Sequence, residues 1–202
     1  MRLSFYDYSF INPERQKFVG LDNYIRLFQD SAFLDALKHT FILAFVVVAF
    51  ISVLAFIIAV LLEGNIRGKT FFRTVCFMPY IISSVAVSIF FMYFFVKGGL
   101  GTRLFMLFGA EDTTWFTNKN YALFFVAIIY IWQQLGFYMI LYIGGLQNIS
   151  EEIYEAAKID GASRLQSVLH ITVPLVKPTT YMVITLGMIT VSYTHLRAHE
   201  TS

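Results

Sequence analysis

A single cysteine, Cys76, stands among the 202 residues, so no internal disulfide can form, and its place inside an apolar run assigns it to packing rather than redox chemistry. Charge is scarce as well. Asp, Glu, Lys and Arg supply 14% of the chain, against about 25% in an average soluble domain. The four histidines, His39, His170, His195 and His199, lack the spacing of a zinc site. No Ser-His-Asp, paired-carboxylate or His-Glu-x-x-His arrangement is visible. The chain is therefore not expected to be an enzyme, to hold a metal or cofactor, or to bind nucleic acid. No signal peptide precedes the first apolar run; residues 1–40 are mixed, with five basic and five acidic side chains.

Nucleotide binding is excluded on spacing. Gly64-Asn65-Ile66-Arg67-Gly68-Lys69-Thr70 resembles a phosphate-binding loop, but three residues separate its glycines where four are needed, and Glu63 stands where the first glycine would fall. Such a loop also follows a strand, whereas this one follows an apolar run of membrane length. A short turn between two membrane helices accounts for its glycines and its basic charge.

What the chain does have is length in its apolar runs. Thr40–Leu62, Thr74–Val96 and Asn120–Ser150 carry no charged side chain, and each exceeds the roughly 20 residues that cross a hydrocarbon core as a helix. Mean hydropathy is +0.66 and 57% of residues are hydrophobic. The fold class is thus an all-α, polytopic membrane protein. Spans are expected at about 40–62, 74–96 and 121–146, with a shorter fourth at 179–191. Residues 1–39 form an external segment with amphipathic stretches. Pro79 kinks the second span, with Ser83, Ser84 and Ser88 placed to satisfy freed carbonyls. Among the many aromatics, Trp115, Tyr121 and Tyr142 are expected as interface anchors.

Between the third and fourth spans lies the chain's most specific pattern: Glu155-Ala156-Ala157, then Gly161, then Ile171-Thr172-Val173-Pro174. Ser150 caps a helix whose first turn carries Glu151 and Glu152. Ile153, Ala156 and Ala157 form a small apolar face, with Glu152, Glu155 and Lys158 turned to water or a partner. Gly161 permits a turn, and Leu165, Val168 and Leu169 lead a second amphipathic stretch to Pro174. The spacing resembles the EAA signature of ABC importer permeases, E-A-A, three residues, G, nine residues, I-x-L-P, with Val173 where leucine is usual. The stretch Phe18-Val19-Gly20-Leu21-Asp22-Asn23-Tyr24 is similar to that family's F-x-G-L-x-N-Y segment and narrows the resemblance to carbohydrate, polyol and glycerol-phosphate importers.

The resemblance implies a type I ABC importer transmembrane fold, here incomplete. Such permeases carry a further helix before a segment like Leu3-Ser4-Phe5-Tyr6-Asp7-Tyr8, and their last span stays apolar where this chain turns polar after Val191. A non-native tail, 192–202, is the matching expectation. The implied partners are a dimer of ATPase subunits, a second permease subunit, an extracytoplasmic substrate-binding protein, a sugar-like substrate and membrane lipid. The implied coupling loop is 149–177, where Glu155, Ala156, Ala157, Asp160, Gly161, Ile171 and Pro174 face the ATPase. The location is the bacterial or archaeal cell membrane. Arg67, Lys69 and Arg73 place their loop inside, and alternation puts 149–177 inside with it.

Within the spans, Gln133, Gln134 and Tyr138 are the candidates for the substrate path, since neutral amides, hydroxyls and aromatic faces suit sugars. Bonding between neighbouring helices is the competing role, and adjacent glutamines diverge by about 100° on a helix. A secondary carrier or channel independent of ATP is the rival reading, and the absence of intramembrane charge counts against it.

Overall fold

The computed structural model describes residues 5–7, 17–64, 67–117 and 121–200. Leu3, Ser4, Tyr8, Asn65, Ile66, residues 201–202, and the side chains of His39, His195 and His199 lie outside that description. The described residues are helical almost throughout. Strands β1 (Tyr6–Asp7) and β2 (Lys17–Phe18) pair antiparallel, with Tyr6 opposite Phe18. The short amphipathic α1, Asp22–Gln29, follows. The Asn23 amide donates to the Tyr6 carbonyl at 3.1 Å, and the Phe5 and Tyr24 rings lie 5.9 Å apart, so the F-x-G-L-x-N-Y stretch ties α1 to this strand pair.

Helix α2 runs from Ser31 to Glu63, beginning well before the expected start at Thr40. It is apolar nearly all round, and the size of its side chains decides which face packs. Ala44, Val47, Val48, Ile51, Ser52, Ala55, Ala59 and Leu62 are buried, while Phe41, Phe45, Phe50 and Leu61 point outward. Lipid is as apolar as leucine, so helices associate in it by close packing and polar contacts, which small residues permit.

The second expected span is where the structure departs from the sequence reading. Thr74–Val96 is not one kinked helix. It is divided between α3 (Lys69–Ile81) and α4 (Ser84–Phe94), which are bent by 90°. Pro79 lies inside α3 and cannot donate its share of the ladder, and the chain leaves the helix three residues later, where Ile82 and Ser83 are extended. Ser88 hydrogen-bonds the Ser84 carbonyl within α4 and does not bridge the break.

The short α5, Leu100–Met106, precedes the long α6, Ala122–Gln147. Phe95, Trp115 and Phe125 cluster at the start of α6. Helix α6 packs chiefly on α2 and α3, and α10 (Lys177–Glu200) closes against α2. The core joins Ile51, Ala55, Tyr138, Met139, Tyr142 and Val183. Gly136 makes the closest crossing. A β-carbon there would overlap the backbone of Cys76 and Phe77, so only glycine lets α6 lie this near α3. Tyr142 is a correction to the anchor reading: it is 1% exposed, and its hydroxyl lies 2.7 Å from that of Ser52. The expected fourth span, 179–191, lies within α10, whose backbone remains helical past Val191.

Among the described residues, Phe33–Glu63 and Ala122–Gln147 are each long and apolar enough to cross a membrane, and the bent pair α3–α4 counts as a third if taken as one span.

Candidate functional site

The loop between α6 and α10 is built from two caps and a turn. Ser150 is extended, and its hydroxyl accepts from the Glu152 amide at 3.3 Å, which starts α7, Glu151–Ile159. That helix ends in a Schellman motif. The Ala162 amide donates to the Ala157 carbonyl at 2.9 Å, the Gly161 amide donates to the Lys158 carbonyl at 3.1 Å, and Gly161 has φ +78°. The spacing of E-A-A to G thus has a local cause. Ala157 stands at the carbonyl that the motif closes on, four positions before the residue that must turn left-handed. A β-carbon at Gly161 would meet nothing within 4 Å, so backbone conformation, not space, calls for glycine.

After Gly161 the chain re-enters a helix through a capping box that the sequence reading passed over. The Ser163 hydroxyl accepts from the Gln166 amide at 3.3 Å, and the Gln166 side chain accepts from the Ser163 amide at 2.7 Å. The pattern S-x-x-Q at 163–166 was its signal. Helix α8 (Arg164–Ser167) passes through a π-helical segment, Val168–Thr172, into the short α9 (Val173–Leu175). The π turn lies just before Pro174, which has no N–H with which to continue an α ladder. The Tyr154 and Thr172 hydroxyls, 3.0 Å apart, fasten α7 to it.

This loop shares one end of the bundle with the α2–α3 turn. The Arg164 guanidinium lies against Gly64, and Arg73 pairs with Glu63 at 2.9 Å. A cavity of about 800 Å³ opens between the two loops, lined among others by Glu63, Gly64, Glu155, Lys158, Arg164 and Thr172. The three residues expected to share one small apolar face of α7 are divided by the fold. Ala157 is buried, whereas Ala156 and Ile153 are exposed, and the half-buried Tyr154 takes their place against the bundle. Glu155, Asp160, Gly161 and Pro174 are exposed and Ile171 is half-buried. Outside the apolar spans, Ile159 is 86% and Leu165 68% exposed.

The three residues expected along a substrate path do not converge. Gln133 is buried on the α3 side, and its amide donates to the Ile82 carbonyl at 3.1 Å and lies 3.4 Å from the Ser84 hydroxyl. Tyr138 is 1% exposed and hydrogen-bonds the Thr190 side chain on α10. Gln134 is half-buried between these directions. The divergence of adjacent positions on a helix accounts for the separation.

The chain is similar to known proteins. Residues 51–192 match the family described as binding-protein-dependent transport system inner membrane component. The probable ABC transporter permease protein YurN of Bacillus subtilis (strain 168) is 33% identical over 191 residues, covering 92% of this chain and 65% of that protein. The sn-glycerol-3-phosphate transport system permease protein UgpA of Escherichia coli O6:K15:H31 is 32% identical over 175 residues, covering 86% of this chain and 59% of its own length. The arabinooligosaccharides transport system permease protein AraP of Bacillus subtilis (strain 168) is 30% identical over 182 residues, at 89% and 58% coverage. The chain thus spans less than two thirds of the length of each of these relatives. A bacterial ABC transporter involved in the import of the acidic polysaccharide alginate contains a chain of the same fold, with TM-score 0.79 and 24% identity over 86% of this chain and 62% of that one. The apolar spans, the capped loop and these matches together place the chain in the family of binding-protein-dependent transport system inner membrane components, a family of membrane transport subunits.

Proposed function

We propose that the chain is part of one permease subunit of an ATP-driven importer, with the loop Glu151–Leu175 as its docking element for a cytoplasmic ATPase. The observation that carries this reading is the exposure of Ile159 and Leu165 on a capped helix–turn–helix outside the apolar spans. Apolar side chains held in water on a rigid loop gain by meeting a partner surface. Glu155 and Asp160 offer polar contacts on the same loop. Gly161 sets its turn, Ala156 allows close approach, Ala157 closes the end of α7, and Ile171 and Pro174 join the loop to the last helix. A pair of ATPase subunits, a second permease subunit and an extracytoplasmic binding protein complete the machine in a bacterial or archaeal cell membrane, with residues 149–177 inside.

The substrate class is a sugar or a related polyol or glycerol phosphate. The Phe18–Tyr24 stretch and the names of UgpA and AraP support it. So does the lack of charge along α6, since hydroxyl-rich molecules need neutral hydrogen-bonding groups. Among the three path candidates, Gln134 is the one that neither the break nor α10 engages through a hydrogen bond described above.

Uptake of labelled sugars or glycerol phosphate into vesicles containing the assembled transporter, with its ATPase, second permease subunit and binding protein, tests the reading. Transport should require ATP and should be lost in a Glu155→Lys, Gly161→Pro double variant together with ATPase co-purification. Uptake that proceeds without ATP would replace this reading with a secondary carrier or channel.

A further inference from the structure

We infer that Gln133 is the positioning residue of the broken span: its amide holds α4 at the 90° angle to α3, and that angle sets the rate of substrate passage. The inference rests on the importer reading for its transport half only. Breaking a helix at membrane depth leaves backbone groups that no water reaches, and such breaks persist only where protein or a polar cavity satisfies them. Ile82, the extended residue at the break, has its carbonyl taken by the Gln133 amide at 3.1 Å, and the same nitrogen lies 3.4 Å from the Ser84 hydroxyl at the start of α4. One side chain, 7% exposed, thus touches both halves of the span.

The residues of α6 on the same face as Gln133, one turn on, grip the α3 half. Gly136 brings the two backbones together at Cys76 and Phe77, and Phe137 stacks on Tyr80 with centroids 4.8 Å apart and planes 11° from parallel. Gln133, Gly136 and Phe137 recur at helical spacing and form one stripe along α3. Beyond Ile81 the α4 half meets α6 through rings, Phe91 lying edge-on to Trp132 at 5.5 Å and Phe95 packing on Phe125, whereas Gln133 is the residue whose hydrogen bonds sit at the break itself. Residues 81–86 are all exposed, so the bent segment faces whatever lies beside this chain. Broken spans in transporters border the substrate route for the same reason they are tolerated: their free backbone groups need polar company.

The test replaces Gln133 with Met, which keeps length and packing but has no donor. Nitroxide labels at the exposed positions Phe72 and Tyr93, in a Cys76→Ala background of the assembled transporter in lipid nanodiscs, read the bend directly. At 1.5 Å per residue the labelled backbones are roughly 21 Å apart when bent at a right angle and roughly 31 Å apart when straight. Gln133→Met should populate the longer distance, and maximal uptake should fall about tenfold, the weight of one buried hydrogen bond, with KM unchanged. Gln133→Leu gives a second reading if the Met variant does not assemble. An unchanged distance distribution in the variants overturns the latch, and a lengthened one with unchanged maximal uptake overturns its role in transport. If the unsubstituted complex shows no ATP-driven uptake, the importer reading fails, while the distances still decide whether Gln133 holds the break.

Discussion

The hydroxyls of Ser52 and Tyr142, 90 positions apart in the chain, lie 2.7 Å from one another in the buried seam between α2 and α6. Tyr142 also meets the Phe56 ring edge-on, at 5.5 Å between centroids. A polar pair in an apolar seam fixes the rotation of one helix against the other, because any other rotation strands both hydroxyls. Ser52→Ala should destabilise the protein by about 1–2 kcal/mol, since it leaves the phenol buried and unpaired. Adding Tyr142→Phe should recover part of that loss. A double-mutant cycle in detergent unfolding measures the coupling, expected near 0.6 kcal/mol for a membrane helix pair; zero coupling would mean the contact contributes nothing.

Gly161→Ala forces a β-carbon into the left-handed region at the end of α7. The expected cost is about 1–2 kcal/mol, local to the loop. Hydrogen exchange at the Ala162 amide, which closes the motif on Ala157, should quicken by about fivefold or more, while exchange within α6 stays unchanged. Equal rates in both proteins would count against the Schellman account of the signature.

Gly136→Val inserts an isopropyl group where α6 touches the backbone of α3. The helices must part, at a cost of about 1–3 kcal/mol, and Cys76, half-buried at the crossing, becomes more reachable. Maleimide labelling of Cys76 is the readout. A rate no faster than in the unsubstituted protein would show that the crossing absorbs the side chain without moving.

Asn23→Ala removes the bond that ties α1 to the Tyr6 carbonyl. A lost side-chain hydrogen bond of this kind is worth about 1 kcal/mol, enough to loosen a two-residue strand pair. Limited proteolysis at Lys17 should accelerate while cleavage at Arg73, paired with Glu63, does not. Equal acceleration at both sites would point to global unfolding instead.

Much of the loop between α6 and α10 was legible in the sequence because its determinants are local. Ser150, Gly161 and the helix between them act over a few residues, and the capping box at Ser163 and Gln166 was equally readable by its spacing. The orientation of α7 was not. Ile153, Ala156 and Ala157 read as one small apolar face, yet Ala157 faces the bundle together with Tyr154, because Tyr154 finds Thr172 in a segment folded back over it, while Ile153 and Ala156 are exposed. The roles of Gln133 and Tyr138 were hidden for the same reason. Their partners, Ile82 and Thr190, lie on other helices, and adjacent apolar faces give no periodic signal of which one packs.

By itself the sequence determined that this is a helical membrane protein with a capped loop between apolar spans, since length, charge and cap chemistry act along the chain. Only the tertiary structure decided that the second run breaks by 90°, that Gln133 bridges that break, and that Tyr142 is core and not interface. The physical reason is that in apolar helices nearly every face is compatible with lipid, so the choice among faces falls to close packing and to a few polar side chains whose partners are distant in sequence.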